Sequence, residues 1–203
     1  MIAIIDYNIG NISAVENMLR RIGLPCRITA DSSEVERASH IILPGNGSFD
    51  ACMRNLRASG LVSVLEERVL GRGVPLLGIC VGAQMLGNDS EEGQERGLGW
   101  LDMRVRRFPS LPGLKVPHMG WTQVVPRQLS NCLVNGMTEE SRFYFVHSFI
   151  MAPANGEDVL MHATYGVEFA AGVSRGNITG VQFHPEKSHR FGKQLLTSFG
   201  KGQ

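Results

Sequence analysis

The chain has 203 residues, 43% of them hydrophobic and 19% charged, which is the balance of a globular protein and excludes a disordered one. Its 20 Lys and Arg face 19 Asp and Glu, a formal net charge of +1. No basic surplus exists to neutralise a run of phosphates, so nucleic acid and anionic membranes are excluded as main partners. At about 150 residues per domain the length favours one domain, residues 1–203.

The first half alternates short apolar runs with amphipathic stretches. Ile2–Ile5 reads as a buried strand. After a turn at Asn8 and Gly10, Ile12, Val15, Leu19 and Ile22 recur at helical spacing, with Ser13 and Glu16 arranged as a capping box. A second strand covers Arg27–Thr29, and Ser33–Glu36 opens a short helix. A third strand, His40–Leu43, is broken by Pro44-Gly45-Asn46-Gly47. Phe49–Leu70 is helical with an interruption near Gly60, and Val74–Ile79 is another continuous apolar strand. Such strands alternating with helices predict parallel strands covered on both faces.

From Leu98 the pattern changes. Arg104–Phe108, Phe143–Phe149, Val159–Tyr165 and Phe169–Phe183 read as strands joined by turns, with Gly176-Asn177 as a hairpin signal. A last helix spans Phe191–Phe199. The expected fold is α/β: one domain whose mixed sheet has a parallel centre flanked by helices, with antiparallel additions.

Cys26, Cys52, Cys80 and Cys132 include no CxxC pair, and none has a His at zinc-ligand spacing. No metal or cofactor is expected, and reduced thiols fit a cytosolic enzyme. Met1–Asp6 lacks a cationic n-region, and no apolar run reaches 18 residues, so the reading is a cytoplasmic chain.

The strongest local signal is Gly78-Ile79-Cys80-Val81-Gly82, after a buried strand and before a helix containing Gln84, Met85 and Leu86. Flanking glycines permit a sharp turn that projects the central side chain, as a nucleophile elbow requires. Cys26, Cys52 and Cys132 lie at no such elbow and are expected to be dispensable for turnover. A thiol nucleophile needs a base, and the base needs an acceptor to orient it. Of the six histidines, His184 stands out because Pro185 and Glu186 follow it. Pro185 favours an extended His184, which would point His184 and Glu186 the same way. His189 is expected to stand outside the chemistry. The loop Pro44–Phe49 can aim the amides of Asn46 and Gly47 at a neighbouring strand's nucleophile, making an oxyanion hole with the Val81 amide.

These residues identify a family resemblance. Gly78-Ile-Cys80-Val-Gly82-Ala-Gln84 together with Gln182-Phe-His184-Pro-Glu186-Lys-Ser188 resembles the triad-type (class I) glutamine amidotransferases. Within that family the chain is similar to the glutaminase subunits of imidazole glycerol phosphate synthases. The likeness runs nearly end to end, through Asp6–Asn11, Leu43–Phe49, Ser90–Gly93, Gly97–Trp100, Val116–Trp121 and Tyr144–Ser148. It departs from the family pattern at Asn8, usually Gly, at Asn46, usually apolar, at Thr122, usually Asn, and at Phe149.

The resemblance implies Cys80 as nucleophile, His184 as base and acid, and Glu186 as the orienting carboxylate. It implies that Gly47, Gln84, Ser148 and Phe149 hold L-glutamine. Asn11, Pro117, His118, Met119, Gly120, Trp121 and Lys187 would face a cyclase (synthase) subunit in a heterodimer serving histidine biosynthesis. A paralogue supplying ammonia to a sugar amidotransferase of surface polysaccharide synthesis has the same chemistry, and a non-catalytic interaction subunit would keep the same fold. An α/β-hydrolase with a Cys elbow predicts the chain order Cys, acid, His. Here Glu186 follows His184, which counts against it.

Overall fold

The computed structural model describes residues 1–9 and 12–202. Asn11, expected to face the partner, lies outside the described residues. Twelve strands form a mixed sheet: β1 Ile2–Ile5, β2 Cys26–Thr29, β3 His40–Gly45, β4 Leu76–Cys80, β5 Asp89–Ser90, β6 Met103–Arg107, β7 His118–Pro126, β8 Arg142–His147, β9 Phe149–Pro153, β10 Val159–Tyr165, β11 Val167–Arg175 and β12 Ile178–Val181. The main path runs β2-β1-β3-β4-β12-β11-β10-β7-β8, with β5, β6 and β9 branching off β11. Pairing is parallel from β2 to β12 and antiparallel beyond it. Every residue of β1, β4 and β12 is buried, which is why these strands read as unbroken apolar runs.

The helices are α1 Ser13–Arg21, α2 Ser32–Glu36, α3 Phe49–Ala58, α4 Val62–Glu66, α5 Val81–Gln84 and α6 His189–Lys201. One contiguous core joins the parallel and antiparallel halves, from Ile4 and Leu43 through Leu77 to Phe145, Phe169 and Leu196.

Several local expectations change. Ser13 and Glu16 form no capping box: Ile12 stands at the N-cap without a side-chain bond, and Glu16 pairs with Arg20 at 2.9 Å. The cap of α2 is Asp31, which accepts from the Ser33 amide at 2.8 Å. Pro44 does not break β3. The β1 register ends at Ile42, so Pro44 pairs only with β4, and its missing N–H interrupts no ladder. Phe143–Phe149 is two strands meeting at Ser148, and the interruption at Gly60 separates α3 from α4.

The largest difference is β7. Its inward positions are His118, Gly120, Thr122 and Val124, and its outward ones Met119, Trp121, Gln123 and Val125. A strand that buries a His and turns a Gly and a Thr inward, half-buried, while exposing a Met and a Trp inverts the usual alternation of hydrophobicity. Asn8 explains its own departure from glycine: its φ is 61°, a left-handed conformation that Asn tolerates.

Candidate active site

Cys80 ends β4 and begins α5 with φ 55° and ψ −116°, the strained strand-to-helix turn that an elbow needs. The turn is possible because two backbones touch beside it. A Cβ on Gly82 would overlap the Leu43 carbonyl oxygen, and a Cβ on Gly45 would overlap the Gly82 nitrogen. Strand β3 thereby lies directly against the elbow, in register Gly45 to Cys80. The helix that follows is a single turn, ending at Gln84 rather than extending through Leu86.

His184 lies just past β12, the neighbour of β4. Its backbone amide donates to the Tyr144 carbonyl at 2.9 Å, and its carbonyl accepts from Ser188 Oγ at 2.6 Å. Residues 185–187 form a 3-10 turn, and within it Glu186 Oε1 comes back to 2.7 Å from His184 Nδ1. His184 is extended as expected, with φ −100° and ψ 97°, but the chain then turns at 185–187, and the pair forms through that turn rather than along a continuing strand. Both side chains are buried, at 8% and 4% exposure.

Burial alone would lower the His184 pKa. Hydrogen bonding to Cys80 and Glu186, and their negative charge, outweigh it and raise the value to about 9 from the ordinary 6.5. With Nδ1 committed to Glu186, Nε2 is the ring atom left for the thiol. His184 is therefore protonated at neutral pH beside its nucleophile.

These groups open onto a cavity of about 240 Å³ lined by Asn46, Gly47, Cys80, Val81, Gln84, Glu92, Pro117, Val146, His147, Ser148, Phe149 and His184. That is below the roughly 300–1,000 Å³ of sites for drug-sized ligands and suits one amino acid. The expected oxyanion and substrate residues thus share one cavity with Cys80 and His184. Gln84 is more committed than expected. It is 2% exposed, and its amide donates to Gln182 Oε1 at 3.0 Å and to the Phe149 carbonyl at 3.4 Å.

Two residues of the site were not foreseen. Gln182, fully buried, donates to Cys80 Sγ at 3.9 Å. It stands two residues before His184, and the period of a strand would have put both side chains on one face. Glu92 accepts from the Phe49 amide at 2.7 Å while lining the cavity, so a carboxylate stands at its wall. Its contact spans 43 residues of sequence, and no local pattern announces it.

Of the expected partner-facing residues, Met119 and Trp121 are 62% and 43% exposed, and Pro117 and Lys187 are exposed as well. His118 is different: it is 2% exposed and points inward. Its Nε2 meets Thr122 Oγ1 at 2.8 Å and its Nδ1 meets His147 Nε2 at 2.9 Å, while His147 Nδ1 meets the Phe149 carbonyl at 2.8 Å. A carbonyl can only accept, so His147 donates from Nδ1 and receives at Nε2, and His118 donates to it. Burial keeps both rings neutral, with pKa values of about 4 for His118 and about 3 for His147.

Among the described residues no group of His, Cys, Asp and Glu could hold a metal ion, and no helix is long and apolar enough to cross a membrane.

The chain is similar to known proteins over nearly its full length. The family model for class-I glutamine amidotransferases matches residues 3–201. The chain is 52% identical to "Imidazole glycerol phosphate synthase subunit HisH 2" of Pseudomonas aeruginosa, covering 98% of each chain. It is 47% identical to "Imidazole glycerol phosphate synthase subunit HisH" of Bdellovibrio bacteriovorus, covering 99% of this chain and 100% of that one. In fold it is similar to a chain of PurLQS from Thermotoga maritima, with a TM-score of 0.75 at 19% identity over 98% of this chain and 96% of that one.

Proposed function

The chain belongs to the class-I glutamine amidotransferase family, and on that premise we propose that it is the glutaminase subunit of an imidazole glycerol phosphate synthase. It hydrolyses the side-chain amide of L-glutamine and passes ammonia to a cyclase partner. One observation carries the reading: Cys80 stands on a left-handed elbow beside a His184 that Glu186 orients and that Cys80 and Glu186 together hold charged.

The chemistry follows from that arrangement. Cys80 Sγ attacks the amide carbon, and the oxyanion is held by the amides of Val81 and of the Asn46–Gly47 segment. The C–N bond then breaks as His184 gives its proton to the departing nitrogen. Water attacks the thioester, His184 takes the water's proton, and glutamate leaves with the thiolate restored. Glu186 holds the imidazole through Nδ1 and stabilises its charged form. Glu92 and the Ser148–Phe149 segment retain the α-ammonium and α-carboxylate of glutamine.

Free ammonia becomes ammonium in water and loses its nucleophilicity, so the product must reach its acceptor under cover. The exposed Met119 and Trp121 of β7 supply an apolar anchor for the partner that receives it. The synthase-subunit name carried by relatives at 52% and 47% identity supports this client over a sugar-modifying enzyme. An intact triad supports turnover over a purely structural role.

The test is glutamate release by the chain mixed with its synthase subunit and acceptor, in wild type and Cys80→Ala. Loss of on the order of 10⁴-fold in Cys80→Ala, with the complex still formed, is expected. More than a few per cent of residual activity would overturn the assignment.

A further inference from the structure

Two buried side chains that the reaction does not use lie against the Pro44–Gly47 loop. Tyr7, 1% exposed and two residues past the end of β1, donates its hydroxyl to the Pro44 carbonyl. Cys52, also 1% exposed, rises from α3 and donates its thiol to the Asn46 carbonyl at 3.4 Å. The two donors neighbour each other, and burial raises both pKa values, so each stays in its protonated, donating form.

The sheet explains why these carbonyls need partners. The Ile41 amide of β3 bonds on the β4 side, to the Pro75 carbonyl. Alternate residues of a strand address opposite neighbours, so Pro44 faces the β1 side. There the β1 register has ended at Ile42, and Tyr7 takes its place. Past Gly45 the β4 register ends too, and the Asn46 carbonyl turns to Cys52. The Asn46–Gly47 peptide is trans and planar, so a carbonyl held toward Cys52 sends the Gly47 N–H the opposite way. Gly47 and Cys80 line the cavity, whereas Cys52 does not.

We propose that Cys52 and Tyr7 are positioning residues: Cys52 clamps the Asn46 carbonyl and thereby aims the Gly47 amide at the oxyanion, and Tyr7 clamps the Pro44 carbonyl and fixes the strand end from which that loop departs. The inference rests on the glutaminase reading above. It separates Cys52 from Cys26 and Cys132, with which the sequence grouped it as dispensable. An amide aimed at an oxyanion acts on the transition state more than on bound glutamine, so a loosened clamp lowers kcat and spares KM.

The experiment compares Tyr7→Phe, Cys52→Ala and Cys52→Ser in complex with the synthase subunit. It measures kcat and KM for glutamine, and the rate at which iodoacetamide alkylates Cys80, read by mass spectrometry of the Cys80 peptide. Tyr7→Phe and Cys52→Ala should each lower kcat about tenfold, less than the 10²- to 10³-fold lost with an oxyanion donor itself. KM and Cys80 alkylation should stay within about twofold, and Cys52→Ser, which keeps a donor, should recover most of the rate. If Cys52→Ala does not fold, Tyr7→Phe decides, since it removes one oxygen atom.

Unchanged kcat in the folded variants overturns the clamp. So does a serine variant as slow as the alanine one, or alkylation slowed in parallel with turnover. An active Cys80→Ala control removes the glutaminase reading itself. Retained activity in the clamp variants, with turnover still dependent on Cys80, removes the clamp alone.

Discussion

His184 Nδ1 lies 2.7 Å from Glu186 Oε1 across a single proline, and this bond decides which imidazole nitrogen is left for the Cys80 thiol. Glu186→Gln keeps the shape but offers an amide that can present N–H to Nδ1 and hold the wrong tautomer. Turnover should fall about 10²- to 10⁴-fold, less than in His184→Ala. Steady-state glutamate release checks the order of the two; a silent Glu186→Gln would reduce the carboxylate to a bystander.

The pH profile of stability should have two limbs. His184 is raised to about 9 from 6.5, so its stabilisation is complete below about pH 6.5 and fades as pH climbs through 9. His118 and His147 run the other way. Lowered by burial to about 4 and about 3, they refuse protons that the unfolded chain accepts below pH 6.5, so stability also falls on acidification. Urea midpoints between pH 4 and 9 should peak near pH 6.5. Glu186→Gln should make the alkaline limb shallower and leave the acid limb unchanged, since Cys80 keeps its share of the shift, and a monotonic profile would refute the balance of shifts.

Trp121 does not stand free on β7. Its ring stacks on His189 at 5.4 Å with planes 1° apart, and its edge meets Tyr144 at 6.2 Å. Trp121→Ala should weaken the synthase complex by about 2 kcal/mol, roughly 30-fold in affinity. His189→Ala should weaken it by less, by freeing the indole, while leaving turnover at saturating partner unchanged. Titration calorimetry with the synthase subunit reads both; equal affinity in wild type and Trp121→Ala would move the interface elsewhere.

Gly82→Ala forces a methyl into the Leu43 carbonyl, so β3 must separate from the elbow. A loss of about 3 kcal/mol or more in folding stability is expected, together with slow alkylation of Cys80. Thermal unfolding checks it, and a variant as stable as wild type would mean that the two backbones are not locked together.

The elbow, the His184–Glu186 pair and the parallel centre were legible because each is written in local signals: glycines around Cys80, a proline after His184, unbroken apolar strands. The strand β7 was not, because it turns His118 and Thr122 inward into a polar chain and exposes Met119 and Trp121. The signs that mark the inner and outer faces of a strand are there reversed. Gln84 was read as facing substrate; it lines the cavity, and its amide is also shared with Gln182 and the Phe149 carbonyl, which no local signal announced. Glu92, Tyr7 and Cys52 were missed for a common reason. Each acts on a backbone group 6 to 43 residues away, and only the closed sheet brings them there. The departure at Thr122 becomes intelligible in the same way, as the hydroxyl that ends the His118–His147 chain.

The most direct measurement is of the covalent intermediate. The complex is mixed with glutamine and acceptor, quenched in acid during turnover, digested, and its cysteine peptides weighed. The account predicts a γ-glutamyl thioester on the Cys80 peptide, absent from those of Cys26, Cys52 and Cys132 and lost in Cys80→Ala. Steady glutamate production with no adduct on Cys80, or with the adduct on another cysteine, would contradict it.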